Sequence, residues 1–85
     1  MKTIINGKKY DTHTAKEVCC GFFGNFNSKA VTLYRKKTGE FFYHHEDLAN
    51  SREWVEPTTE KDAKEFAQEQ MSVDKYETYF REVEE

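Results

Sequence analysis

The chain has 85 residues, 36% hydrophobic, 34% charged and 15% aromatic, with a net charge of −3. That describes one small domain with a core of rings, too short for two cores and too rich in aromatics for a disordered chain. Its longest run without a charge, residues 18–28, falls well short of the ~20 apolar residues of a membrane helix.

The N-terminal segment lacks the apolar stretch of a secretory signal and reads as structure. Residues 3–11 read as a hairpin: Thr3, Ile4 and Ile5 face Lys8, Lys9 and Tyr10 across Asn6-Gly7. Asn-Gly supplies the two positive-φ positions of a type I′ turn, and a two-residue loop pairs Ile5 with Lys8 and Thr3 with Tyr10. Ile5 and Tyr10 then share the core face, with Ile4 on the other. Asp11, Thr12 and Thr14 are helix-capping types, and Thr14 with Glu17 has capping-box spacing. A short helix to about Cys20 is expected, closed by Gly21, with Ala15, Val18 and Cys19 turned to the core.

Residues 21–28 combine turn formers with Phe22, Phe23 and Phe26. The segment is either a loop that tucks its rings under a sheet or an aromatic finger that meets a partner. Residues 30–35 and 40–45 are β-rich runs around the turn 36–39, where Gly39 is free to take a positive φ. They form the second hairpin, with Val31 and Leu33 on one face, Phe41 and Tyr43 on one face, and Phe42 opposite. Residues 47–52 read as loop, and 54–56 as a short edge strand stopped by Pro57.

Thr59 caps a first C-terminal helix, with Glu60 and Asp62 in its first turn, where the helix dipole favours anions. Ala63, Phe66, Ala67 and Met71 form its apolar stripe. Ser72 caps a second helix with Val73, Tyr76, Phe80 and Val83 inward, and Glu77 and Arg81 form an i, i+4 pair. The expected architecture is a single α+β domain over residues 1–85, in the order ββαββ(β)αα. A small twisted antiparallel sheet from two hairpins packs against the two C-terminal helices.

Charge is unevenly divided. Residues 1–43 carry eight Lys/Arg and three Asp/Glu, whereas residues 44–85 carry five and thirteen. The acidic half is either a pair of solvated helices or an interface. Cys19 and Cys20 are adjacent, which suits free thiols in an intracellular protein better than a disulfide framework. Metal spacing is wrong: His44 and His45 on a strand point to opposite faces, and Cys19-Cys20 lacks the two-to-four-residue gap of zinc motifs. A thiolate nucleophile at the end of a helix is disfavoured by the dipole, and no phosphate-cradling Gly loop is present. The expectation is a non-enzymatic protein without metal or cofactor.

Two binding surfaces remain. Arg35, Lys36 and Lys37 beside Tyr34, Phe41, Phe42 and Tyr43 place cations next to rings on the hairpin 31–45, a pattern that suits single-stranded nucleic acid. The carboxylates Glu60, Asp62, Glu65, Glu69, Asp74 and Glu77 imitate a row of phosphates, suited to a basic groove on another protein. Lys36 and Lys37 at the hairpin tip, and Phe22, Phe23 and Phe26, are further candidate partner contacts.

Three stretches, 2–12 (KTIINGKKYDT), 33–42 (LYRKKTGEFF) and 59–67 (TEKDAKEFA), together resemble a group of short proteins carried by phages, plasmids and integrated elements of Gram-positive bacteria. Members have a longer, Gly-rich segment after the second hairpin, where residues 44–52 here are short and charged. The shared motifs are structural and bring no catalytic residues. The resemblance implies a bacterial cytoplasm, and inhibition of a host protein of the anti-CRISPR or a related anti-defence kind. The expected partner is a host protein such as a nucleic-acid-binding defence nuclease, with no role at a membrane. The alternative is a small nucleic-acid-binding or regulatory protein using the 31–45 hairpin.

Overall fold

A computed structural model describes residues 1–80. It holds six strands followed by two helices: β1 (Lys2–Ile5), β2 (Lys8–Asp11), β3 (Lys16–Phe23), β4 (Lys29–Arg35), β5 (Phe41–Asp47), β6 (Arg52–Thr58), α1 (Glu60–Gln70) and α2 (Val73–Phe80). The fold is α+β. A four-stranded antiparallel sheet in the order β3-β4-β5-β6 carries the helices, and β1-β2 is a separate two-stranded ribbon. Among the described residues no helix is long and apolar enough to cross a membrane.

The ribbon follows the turn chemistry of Asn6 and Gly7, which sit at φ 52° and 75°. Ile5 pairs with Lys8 and Thr3 with Tyr10. The central hairpin pairs Arg35 with Phe41 and Leu33 with Tyr43. Its turn is closed by Lys36 N–H donating to Glu40 O at 2.7 Å, with Gly39 at φ 94°.

Alternation along β4 and β5 separates two apolar layers. On one face Val18, Leu33 and Phe41 pack under Ala63 and Ala67 of α1, with Cys19, Tyr43, Phe66, Met71, Tyr76, Tyr79 and Phe80 around them. On the other face Phe42 and Val55 pack with Tyr10 of the ribbon, flanked by Met1, Ile5, Ala15 and Tyr34. The sheet is thus covered by helices on one side and by the ribbon on the other. Phe42 is fully buried, stacked on Tyr34 at 5.3 Å and edge-on to Tyr10 at 5.4 Å. Truncating such a ring costs ~3–5 kcal/mol, a large part of the ~4–13 kcal/mol a domain of this length has.

The helix expected over residues 14–20 is absent. Asp11 closes a turn instead, its carbonyl accepting from Ala15 N–H at 3.0 Å and its carboxylate from His13 N–H at 2.9 Å. The chain then runs directly into β3. A β-bulge between Glu17 and Cys19 shifts the pairing with β4 by one residue. Val18 and Cys19 therefore both reach the helix-side core, since a bulge turns two neighbours to the same side. On paper this resembles helical spacing.

Two further boundaries move. Gly21, Phe22 and Phe23 belong to β3 rather than to a loop, and β6 runs through Pro57 instead of stopping there. Pro57 is accommodated because β6 is an edge, where a missing donor faces solvent. Thr59 caps α1, its hydroxyl accepting from Asp62 N–H at 3.2 Å. In α2, Tyr76 and Phe80 pack on the core while Val73 is exposed, contrary to the stripe expected there. Val83 and the Glu77–Arg81 pair lie partly or wholly outside the described residues.

Candidate functional site

The carboxylates of the acidic half divide among three places. Asp62, Glu65 and Glu69 are spaced three and four residues apart, which stacks them on one side of α1. That side faces β6. There they line an open groove of about 440 Å³ with Glu56, Pro57, Thr58 and Thr59, and with Tyr43 and Phe66. Glu60 lies apart, 3.3 Å from Lys64 and beside Arg35, Phe41 and Phe80. Asp74 and Glu77 are exposed on α2, away from the groove.

The groove is built by packing beneath it. Tyr43 and Phe66 meet edge-on at 5.2 Å, and the Tyr43 hydroxyl donates to Asp62 O at 3.3 Å. Burial pushes the Tyr43 phenol above its ordinary pKa, and the negative charge of Asp62 and Glu56 adds to this. The hydroxyl therefore stays protonated as a donor. Alternation along β6 sends Trp54 and Glu56 to the same face as Tyr43 and His45. His45 stacks on Trp54 at 5.0 Å, and its Nε2 lies 2.9 Å from Glu56 Oε1. Four carboxylates on two elements thus rim a site with two rings beneath. A guanidinium or ammonium group suits it: charge meets the carboxylates while the aliphatic stem lies on the rings.

The hairpin tip is differently arranged. Lys36 Nζ sits 4.5 Å above the Tyr10 ring and 3.5 Å from Glu40 Oε1, so this cation is largely engaged within the fold. Lys37 is exposed beside it, and both line a shallow depression with Lys9, Asp11 and Thr14. Phe41 and Phe42 are buried and present no stacking surface.

Phe22, Phe23 and Phe26 are all exposed. Phe22 and Phe23 lie on opposite faces of β3. Phe26, at φ 55° in a 3-10 turn over Asn25–Asn27, stands free in solvent. Of the two readings of this segment, the rings tucked under the sheet do not occur.

His44 and His45 point to opposite faces, as strand geometry requires. His44 lies between Glu46 and Glu53, 3.6 and 3.5 Å from their nearest carboxylate oxygens, and 6.4 Å from the Tyr34 ring. Cys19 is half-buried under the helices, and Cys20 is exposed with its sulfur accepting from Thr32 Oγ1 at 3.4 Å. The helix-dipole argument against a thiolate does not apply to a strand. Burial, with Cys20 and Glu17 nearby, pushes the Cys19 thiol up to about 11, so it stays protonated at neutral pH.

Sequence reasoning reached Asp62, Glu65 and Glu69 but not Glu56, Tyr43, Trp54 or His45 as parts of the same site. The signal for Glu56 was the alternation Trp54-x-Glu56-x-Thr58, visible only once β6 is carried past Pro57. No protein family, curated protein or solved structure matches the chain.

Proposed function

We propose that this is a small non-enzymatic protein of a bacterial mobile element that binds and inhibits a host protein in the cytoplasm, with an RNA-guided defence nuclease as the leading target. The acidic groove seats on the basic nucleic-acid channel of that protein and excludes its substrate. The observation that carries this reading is the convergence of Glu56, Asp62, Glu65 and Glu69 on one groove over the Tyr43 and Phe66 rings. Complementary potentials speed such an encounter and make it sensitive to salt.

The test is affinity capture from the bacterial host with wild-type protein and with Glu65→Lys/Glu69→Lys, both checked for an unchanged far-UV circular dichroism spectrum. Capture of a nucleic-acid-binding protein by the wild type, lost on charge reversal, is the expected result. Capture that survives the reversal overturns the groove as the contact. A mobility shift of bare oligonucleotides by the purified protein, lost with Arg35→Ala/Lys37→Ala, favours nucleic-acid binding by the hairpin instead.

A further inference from the structure

The two edges of the four-stranded sheet are unlike. Along β6, Pro57 withholds a backbone donor and Glu53 and Glu56 place charge on both faces, the usual protection of an exposed edge. The β3 edge has little of this. Its first residues are occupied: Tyr79 hydroxyl donates to Glu17 O at 3.4 Å, and Lys16 Nζ lies 5.1 Å from the Tyr79 ring. From residue 18 to residue 23 the strand carries no charge. Among the described residues no further strand pairs with it. Phe22 and Phe23 are 58% and 41% exposed on its two faces.

We propose that the β3 edge pairs antiparallel with the same edge of a second copy of this chain, about a two-fold axis at Gly21, giving one continuous eight-stranded sheet. Centring on Gly21 sets large against small on both faces. Phe22 of each copy lies opposite Cys20 of the other, and Phe23 opposite Cys19. Centring on Cys20 would set Phe23 against Glu17, and centring on Phe22 would crowd two rings at the axis.

A second feature of the fold matches this register. Beside the free edge lies an open groove of about 330 Å³ lined by Cys19, Cys20, Gln70, Met71, Ser72 and Lys75. Phe23 of the second copy, opposite Cys19 and on the helix side of the sheet, falls at this groove. Charge also fits, because an uncharged run meets itself and no like charges oppose each other at the axis.

Area sets the strength. Aromatic side chains bury ~150–250 Å² each when fully covered. Two partly exposed rings per copy and one strand ladder therefore reach only about the lower bound of ~1,200 Å² for a specific interface. The dimer is correspondingly weak and concentration-dependent.

The experiment measures mass by light scattering or sedimentation from roughly 1 µM to 1 mM, a range that spans the affinities of small interfaces. Wild type is expected to pass from the 10.1 kDa monomer to twice that mass, and Phe22→Glu to remain monomeric at every concentration. Phe22→Cys tests the register, since it places a thiol directly across from Cys20 of the other copy, whereas Cys20 and Cys20 lie on a diagonal of ~7–8 Å. Mild oxidation is expected to link Phe22→Cys into a covalent dimer and to leave wild type and Phe22→Cys/Cys20→Ser largely unlinked. Phe22 is exposed, so these variants keep the fold. Monomeric wild type throughout, or a dimer indifferent to Phe22→Glu, overturns the proposal. Ready oxidation of wild type through Cys20 moves the axis off Gly21 and overturns the pairing as stated.

Discussion

The His45 imidazole lies flat on the Trp54 indole, with ring centres 5.0 Å apart and planes within 6° of each other. Its Nε2 also reaches Glu56 Oε1 at 2.9 Å. One residue of β5 thereby fixes two neighbouring side chains of β6 on the face that carries the acidic groove. Stacked pairs contribute ~0.5–1.5 kcal/mol beyond burial. His45→Ala is expected to lower stability by about 1 kcal/mol in urea denaturation, and to change the emission of Trp54, the one tryptophan of the chain. Unchanged emission would show that the two rings do not meet in solution.

His44, one residue earlier, predicts the opposite. Its Nε2 is buried and makes no hydrogen bond, with Glu53 Oε1 the nearby oxygen at 3.5 Å. A buried polar atom without a partner carries its desolvation cost uncompensated, and an apolar group of similar shape removes that cost. His44→Leu is expected to be neutral or stabilising by up to ~1 kcal/mol. A loss of more than that in the same denaturation series would mean that Nε2 has a firm partner.

The two histidines also show what the sequence made legible. Opposed faces for His44 and His45 follow from the two-residue period of a strand, and so do the pairings around Asn6-Gly7 and the burial of Phe42. These are local rules acting on local residues. The element that went astray, β3, is set by a long-range choice. Residues 16–23 find their backbone partners in β4, and the bulge at Val18 turns two adjacent apolar residues inward, a pattern that period-counting assigns to a helix. The acidic groove was legible on its α1 side, where Asp62, Glu65 and Glu69 follow the helical repeat. Its β6 side was hidden behind Pro57, a residue that ends central strands but is tolerated at an edge.

Gly21 offers a test of how β3 meets α1. A Cβ there would lie 2.8 Å from Gln70 Cδ and Oε1 and 2.9 Å from the Phe23 ring. These are ends of flexible side chains, so the substitution forces an adjustment without breaking the backbone. Gly21→Ala is expected to cost about 1 kcal/mol, the low end for overpacking. Gln70→Ala should recover much of it, because two residues in contact do not add independently. Additive losses in the double-mutant cycle would show that Gln70 does not lie over Gly21.

The acid limb of stability should belong to two aspartates that close turns. Asp11 accepts a hydrogen bond from His13 N–H, which, with Lys2 and Lys9 nearby, holds its carboxyl below the ordinary value. Asp47 is held low in the same way by Asn50, whose side-chain amide donates at 2.9 Å, and by the charges of Lys29 and Arg52. A carboxyl with a lower pKa in the folded chain than in the unfolded one stabilises the fold fully above the unfolded value of about 3.9. That contribution fades as pH falls through the folded value, where both states are protonated. Urea midpoints for wild type are therefore expected to be level from neutral pH to about 5 and to drop below about 4. Asp11→Asn and Asp47→Asn should each be less stable than wild type at pH 7 and lose less on acidification, since the variant side chain does not titrate. Parallel acid limbs for wild type and both variants would move the origin of acid unfolding to other carboxylates.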